Sequence, residues 1–304
     1  MRPTTSPVWS PVDDPIGADS ARFEVARVPT SDGFGLRVLR WCPRGAPTLP
    51  RIVFVAGWVS VVEGWAPVLR ELAARAEVLY VETREKRSAD LPDRRLRPAD
   101  FSIQRMADDI VEACATLGTD DGEALLIASS MGANAALEAL KHGRLRAHAA
   151  FMIAPNGEFH YPWWGHLLVR MPAAGYRLVR PLVAAYLRRY RVNTAADPGQ
   201  MRRYERTLEE AEPKRLRLSA QVAFRYRLWP ALESVRIPVA VAFASSDTLH
   251  GGCGCEEIVE RLPGGRLVRC PTNSFMHDVG IVGEIVSFVA SLEPDADRAS
   301  AVQP

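Results

Sequence analysis

The order of apolar and polar positions predicts alternating strands and helices over the first half of the chain. Residues 21–29 and 36–42 alternate between apolar and polar side chains on either side of an Asp-Gly turn, which is typical of a β-hairpin. Four predominantly apolar segments, with polar residues only at their ends, then predict buried strands at 51–57, 77–82, 124–129 and 148–155. Between them, apolar residues spaced three or four apart predict helices at 63–76, 102–117 and 131–143.

This alternation predicts the fold class. Consecutive parallel strands need right-handed crossovers, so the pattern favours a doubly wound, mostly parallel α/β sheet. The alternation stops at 156–234, an Arg-rich segment without a convincing strand, and a helical segment inserted between strands of one sheet predicts a cap. Strands return at 238–245 and 266–270, before a closing helix at 279–292. The expected divisions are a loose N-terminal arm (1–20), an α/β core (21–155 and 235–304) and the helical cap (156–234).

Composition narrows the class of protein. The 304 residues are 47% hydrophobic and 24% charged, as in a soluble globular protein. The net charge of +2 is too small for a typical nucleic-acid-binding protein. The N-terminus lacks the apolar stretch of a secretory signal, and no apolar run predicts a membrane span. Five cysteines at irregular spacing are typical of reduced thiols rather than of a zinc site. We therefore expect a cytoplasmic protein without a metal.

The most informative motif is a small-x-Ser-x-Gly turn between a buried strand and a helix, with Ala128, Ser130 and Gly132 at its three defining positions. A nucleophile at such a turn occupies a strained backbone and presents its oxygen above the sheet edge. The flanking residues must be small because strand and helix approach closely there, and the helix N-terminus supplies N–H groups for an oxyanion. The alternative is a Ser-Gly loop that only leads into a helix N-cap.

A serine hydroxyl is a poor nucleophile without a base, so an acid and a histidine should follow it. Asp247 and His277 each follow one of the two C-terminal strands, which gives the chain order Ser, Asp, His at the carboxyl ends of strands. His250 and Asp278 are the local alternatives, but the first precedes the final strand and the second directly follows His277. We predict that Ser130, Asp247 and His277 form a catalytic triad.

These motifs together resemble the α/β-hydrolase family over residues 21–293. The segment 56–65 is similar to the family's His-Gly-x oxyanion loop, with Ala56 in the place of His. The segment 82–88 resembles its Asp-x-Arg-Gly-x-Gly-x-Ser motif, with Arg84 kept and the Asp and both glycines replaced.

The resemblance implies acyl transfer without a metal or an organic cofactor. Ser130 would attack a carbonyl, His277 would take and return the proton, and Asp247 would hold the imidazole tautomer. The resemblance also implies an oxyanion hole made by the backbone N–H groups of Trp58 and Met131.

The predicted cap carries a charge and an aromatic content that point to its substrate. Residues 156–234 hold 14 Arg or Lys against 7 Asp or Glu, and 11 of the chain's 24 aromatic residues. This favours a bulky, partly apolar substrate with negative charge, or peripheral contact with an anionic membrane surface. The alternative is a solvated cationic face over a packed helical lid. Trp163 and Trp164 are candidate substrate-binding residues and equally candidates for the cap's own core.

We expect a serine hydrolase that cleaves a carboxylic ester or thioester, with a lipid-like molecule as one candidate substrate. The N-terminal hairpin and the Ser-Met-Gly of the turn resemble the monoacylglycerol lipase and lysophospholipase branch of the family. Two alternatives stay open: hydrolysis of an amide, peptide or C–C bond by the same triad, and a non-catalytic binding protein on a hydrolase scaffold. Neither the natural substrate nor the oligomeric state follows from the sequence.

Overall fold

An eight-stranded sheet forms the centre of the computed structural model, which describes residues 6–159, 164–165, 170–171, 175–191, 198–244 and 252–292. The strands are β1 (Ala21–Pro29), β2 (Gly35–Pro43), β3 (Ile52–Val55), β4 (Val78–Val81), β5 (Leu125–Ser129), β6 (Ala149–Ile153), β7 (Val239–Ala244) and β8 (Gly265–Cys270). Their order across the sheet is β1-β2-β4-β3-β5-β6-β7-β8. The pairs β1–β2 and β2–β4 are antiparallel and every later pair is parallel. The predicted doubly wound, mostly parallel sheet is confirmed.

Helices cover both faces of this sheet. They are α1 (Ala66–Ala73), α2 (Ile103–Leu117), α3 (Ser130–Lys141), α4 (Tyr176–Tyr186), α5 (Pro198–Glu210), α6 (Pro213–Ala223), α7 (Gly252–Arg261) and α8 (Val279–Ala290). In β3, Ile52 and Phe54 pack with α1 and α8, whereas Val53 and Val55 pack with α2, α3 and α7. Because each face has its own core, the central strands β3 to β7 are buried at every position, as their sequence predicts.

Helices α4, α5 and α6 lie between β6 and β7, within the segment assigned above to a cap. In the parts of the chain that the structure covers, no helix is both long enough and apolar enough to cross a bilayer.

Two helices differ from the sequence prediction. The predicted helix over 63–76 is divided into a short 3-10 helix (Val62–Trp65) and α1, which has a proline in its first turn. Helix α7 was not predicted, because its glycines and cysteines conceal a buried stripe of Cys255, Ile258 and the adjoining Leu262.

Some of the residues that precede β1, in the segment predicted to be a loose arm, contact the sheet. Ser10 and Val25 exchange two backbone hydrogen bonds of 2.9 Å. The Asp14 carboxylate accepts a hydrogen bond of 3.1 Å from the indole of Trp41, and Ile16 is only 2% exposed. In a segment rich in Pro, Ser and Asp, the contacts with the sheet therefore come from the backbone of Ser10, the carboxylate of Asp14 and the buried side chain of Ile16.

A buried ion-pair cluster connects the β1–β2 hairpin, the loop after β4 and helix α2. The Arg84 side chain is fully buried, its Nε donates to Asp109 at 2.6 Å, and its Nη1 donates to Asp32 at 2.8 Å and to the carbonyl oxygen of Asp100 at 2.9 Å. Its guanidinium lies 4.2 Å from the ring centroid of Phe34. Burial disfavours its charge, but the hydrogen bonds to Asp109 and Asp32 outweigh burial and raise the pKa of Arg84. The cluster therefore contains a permanent cation.

Arg84→Met is expected to lower the free energy of unfolding by about 3–5 kcal/mol, because it leaves the buried Asp109 without its counter-ion. The control is Arg75→Met, which removes a side chain that is 42% exposed and pairs with Glu71 one helical turn away. That change should cost at most about 1 kcal/mol. Urea denaturation of both variants measures the difference, and equal losses would contradict a structural role for Arg84.

Candidate active site

Ser130 occupies the sharp junction between β5 and α3. Ser129 ends the strand in an extended conformation, with φ −125° and ψ 144°, and Ser130 begins the helix with φ of +47°. A positive φ is uncommon outside glycine and is a form of strain that concentrates at functional sites. The predicted nucleophile therefore lies on a backbone that its surroundings must hold in place.

Two glycines allow the loop after β3 to contact this junction. A Cβ added to Gly132 would lie 2.5 Å from the carbonyl oxygen of Ala56 and 2.6 Å from that of Val55. A Cβ added to Gly57 would lie 3.1 Å from the Cβ of Ser130. The small residue required by the motif at position 132 is thus explained by the approach of α3 to the end of β3.

The loop after β3, residues 56–61 and hereafter the β3 loop, is held by side chains from distant segments. The N–H of Val59 donates to Glu85 Oε1 at 3.0 Å, and Trp58 Nε1 donates to Ser219 Oγ at 2.8 Å. Ser219 belongs to α6, so one end of this support comes from the predicted cap. These contacts hold a loop in which Ala56 occupies the position of the histidine in the motif that the segment resembles.

His277 is connected to the same loop through Trp65. It ends the short 3-10 helix Ser274–His277 that follows β8, and its ring centroid lies 4.1 Å from that of Trp65. Trp65 is buried and donates from Nε1 to Ser60 Oγ at 3.0 Å, at the end of the β3 loop. Because β5 and β8 are parallel strands of one sheet, the predicted nucleophile and base lie at the same edge.

The third member of the predicted triad, Asp247, lies outside the described residues, as do His250 and Trp163. Asp278, the alternative acid beside His277, has another role. It is exposed, and its Oδ1 accepts the N–H of Val279 at 2.7 Å, which caps helix α8.

The two predicted oxyanion donors belong to the two segments that meet at the junction. Trp58 lies in the β3 loop, and Met131 is the second residue of α3, in the first turn, where N–H groups have no partner within the helix. Trp164, by contrast, packs edge-on against Tyr186 of α4, with ring centroids 4.7 Å apart. This contact places Trp164 within the helical segment's own packing.

Arginines of α5 and α6 attach the helical segment to the site loops. Arg203 donates to Asn273 Oδ1 at 2.7 Å and to Ser274 Oγ at 3.2 Å, at the start of the short 3-10 helix that ends at His277. Arg215 donates to the carbonyl oxygens of Lys86 and Ala89, the second at 3.1 Å. The sequence does not reveal these contacts, because an arginine in a basic helix gives the same pattern whether its side chain faces water or a carbonyl oxygen.

Acidic residues neutralise part of the basic charge of the helical segment. Arg188 pairs with Glu205, Arg180 lies 4.0 Å from Glu209, and Arg206 lies 3.2 Å from Glu63 of the core. Several of the arginines that suggested an anionic partner therefore have carboxylate partners within the protein.

Comparison with known proteins agrees with this architecture. The sequence model of the alpha/beta hydrolase family matches residues 52–278. A search of curated protein sequences finds no match.

Similar solved structures include a thermophilic esterase from Thermogutta terrifontis, with a TM-score of 0.71, 16% identity and coverage of 89% of this chain and 99% of that one. The esterase RhEst1 from Rhodococcus sp. ECU1013 has a TM-score of 0.70, 18% identity and coverage of 88% and 99%. An enol-lactonase from Burkholderia xenovorans LB400 has a TM-score of 0.68, 17% identity and coverage of 85% and 96%. At these identities the likeness is one of fold, whereas the family match spans most of the sequence. The chain belongs to the alpha/beta hydrolase family.

Proposed function

We propose that this protein is a serine hydrolase that cleaves a carboxylic ester or thioester through an acyl-enzyme. Ser130 is the nucleophile, His277 the general base, and Asp247 the acid that orients the imidazole. The observation that carries the proposal is the positive φ of Ser130 at the end of β5, with the β3 loop packed against it. A serine that served only as a helix cap needs no left-handed backbone.

In the proposed mechanism the Ser130 hydroxyl attacks the substrate carbonyl while His277 accepts its proton. The N–H groups of Trp58 and Met131 donate to the tetrahedral oxyanion, and losing one such donor typically costs about 100- to 1000-fold in rate. His277 then protonates the departing alcohol or thiol, which leaves an acyl group on Ser130. Water repeats the sequence, releases the acid and restores the hydroxyl.

We also propose that the segment 156–234 covers the site and selects the substrate. The hydrogen bonds from Arg203 to Asn273 and from Trp58 to Ser219 support this, because they attach α5 and α6 to the two loops that border Ser130 and His277. The substrate that we propose is a bulky apolar or lipid-like ester. We also propose that the segment makes peripheral contact with an anionic membrane surface, and that the protein acts in the cytoplasm.

A panel of nitrophenyl esters, acyl thioesters and anilides of increasing chain length tests the function, together with labelling by a fluorophosphonate probe. We expect turnover of esters and thioesters that rises with chain length, and probe attachment that peptide mapping assigns to Ser130. Heat-denatured protein is the control for nonspecific labelling.

Three results would contradict parts of this proposal. Turnover of anilides alone would favour an amide hydrolase, and a preference for acetyl over decanoyl esters would remove the lipid-like substrate. Native protein that neither turns over substrate nor reacts with the probe would be a binding protein on a hydrolase scaffold.

A further inference from the structure

We propose that Glu85 is a positioning residue for the oxyanion hole, and this inference rests on the function proposed above. Its carboxylate holds the turn at Trp58 and Val59 in the conformation that directs the N–H of Trp58 toward the reacting carbonyl. Position 85 lies in the loop after β4, outside the predicted triad and the predicted pair of donors.

The turn itself is strained. The N–H of Ser60 donates to the carbonyl oxygen of Gly57 at 3.1 Å, which places Trp58 and Val59 at the centre of a four-residue turn. Val59 has a φ of +46°. A turn with positive φ at this position normally has glycine or asparagine there, and a β-branched residue in this region is an outlier. Such a backbone persists only where its surroundings determine it.

Glu85 holds Val59 in this conformation. It is fully buried, and its Oε1 accepts the N–H of Val59 at 3.0 Å and the hydroxyl of Thr83 at 2.8 Å. The hydroxyl of Thr83 orients the carboxylate, and the neighbouring cations Lys86 and Arg215 interact favourably with its charge. A buried carboxylate that accepts a backbone N–H forms a hydrogen bond about twice as strong as a neutral one.

The consequence for Trp58 follows from the chain on either side of it. Gly57 lies against Ser130, and the Trp58 indole donates a hydrogen bond to Ser219. The N–H of the peptide that joins Trp58 to Val59 donates a hydrogen bond to Glu85. Without Glu85, the N–H of Val59 would be buried and unpaired, and Val59 could relax to a negative φ. That relaxation rotates the peptide between residues 58 and 59, and the adjoining peptide, which carries the N–H of Trp58, loses a restraint on its orientation.

The test compares Glu85→Met with Glu85→Gln and with a matched control, Glu82→Met. Glu82 is a buried acid of the same segment, and its carboxylate accepts from Arg37 Nε at 2.6 Å rather than from the β3 loop. Kinetics with the preferred ester and inhibition by a trifluoromethyl ketone, which forms a tetrahedral adduct, are measured for each variant.

We expect Glu85→Met to lower kcat by about 10- to 100-fold with KM nearly unchanged, because the donor is aligned with the transition-state oxyanion. The inhibition constant of the ketone should rise in parallel. Glu85→Gln keeps an oxygen acceptor and should restore most of kcat. Glu82→Met should lower thermal stability and leave kcat close to that of the wild type.

A wild-type kcat in Glu85→Met, or an equal fall of kcat in Glu82→Met, would overturn the inference while leaving the serine mechanism intact. Wild-type protein without turnover or probe labelling would instead overturn the proposed function, and this inference with it. If Glu85→Met does not fold, Glu85→Asp replaces it. That variant keeps the charge but is one methylene too short to reach Val59, so it should show the same fall in kcat, and a wild-type value would again overturn the inference.

Discussion

Ser130→Ala is expected to lower kcat for the preferred ester by about 10⁶-fold, the loss typical of removing a catalytic serine nucleophile. Its free energy of unfolding should stay within about 1 kcal/mol of the wild type. Alanine keeps the Cβ of serine, so the strain at φ of +47° is the same in both proteins and only the hydroxyl is lost. Steady-state kinetics and urea denaturation of the same preparation separate the two effects.

Two further variants make this prediction specific. Ser129→Ala removes the preceding hydroxyl, at a residue with an ordinary extended backbone, and should retain activity. Ser130→Gly should be as inactive as Ser130→Ala but more stable by about 1–2 kcal/mol, because glycine adopts a positive φ without the Cβ penalty. Substantial ester turnover in Ser130→Ala would remove this serine from the mechanism, whatever the stability of the variant.

Gly132→Ala is expected to impair activity and stability together. The new Cβ would lie 2.5 Å from one backbone carbonyl oxygen and 2.6 Å from another, so α3 and the end of β3 must separate. Overpacking of this kind costs about 1–3 kcal/mol. The shift moves Ala56 and the β3 loop relative to Ser130, and a misplacement of about 1 Å can cost about 100-fold in rate.

The matched control is Gly283→Ala in α8. A Cβ added there meets nothing within 4 Å. The residue is exposed to solvent and lies away from both ends of the helix. This substitution should raise the free energy of unfolding by about 0.5–1 kcal/mol and leave kcat unchanged. If Gly132→Ala behaved like Gly283→Ala, the close approach of α3 to β3 would have no functional importance.

The strands and most of the core helices could be predicted because their signals are local. Apolar runs such as 51–57 and 124–129 indicate strands with two buried faces, and only a sheet with helices on both sides satisfies several of them. That architecture places the loops after parallel strands at one edge, so the positions of Ser130 and His277 at that edge followed from chain order alone. The small residue at position 132 indicated the sharp turn for the same reason.

The supports of the site depend on the tertiary structure. The hydrogen bond between Val59 and Glu85 joins residues that are 26 positions apart in the chain, and the one between Arg203 and Asn273 joins residues 70 apart. The Trp58 indole donates a hydrogen bond to a serine 161 positions away. Local periodicity describes which face of an element is apolar, but it carries no information on which polar group of another element will meet it. Burial of Glu85 and a positive φ at Val59 are each unfavourable alone, and they persist because folding brings the two together. The chain's pattern of apolar residues thus specified an α/β sheet with the proposed nucleophile and base at one edge, whereas packing between distant segments set the geometry of the loop beside them.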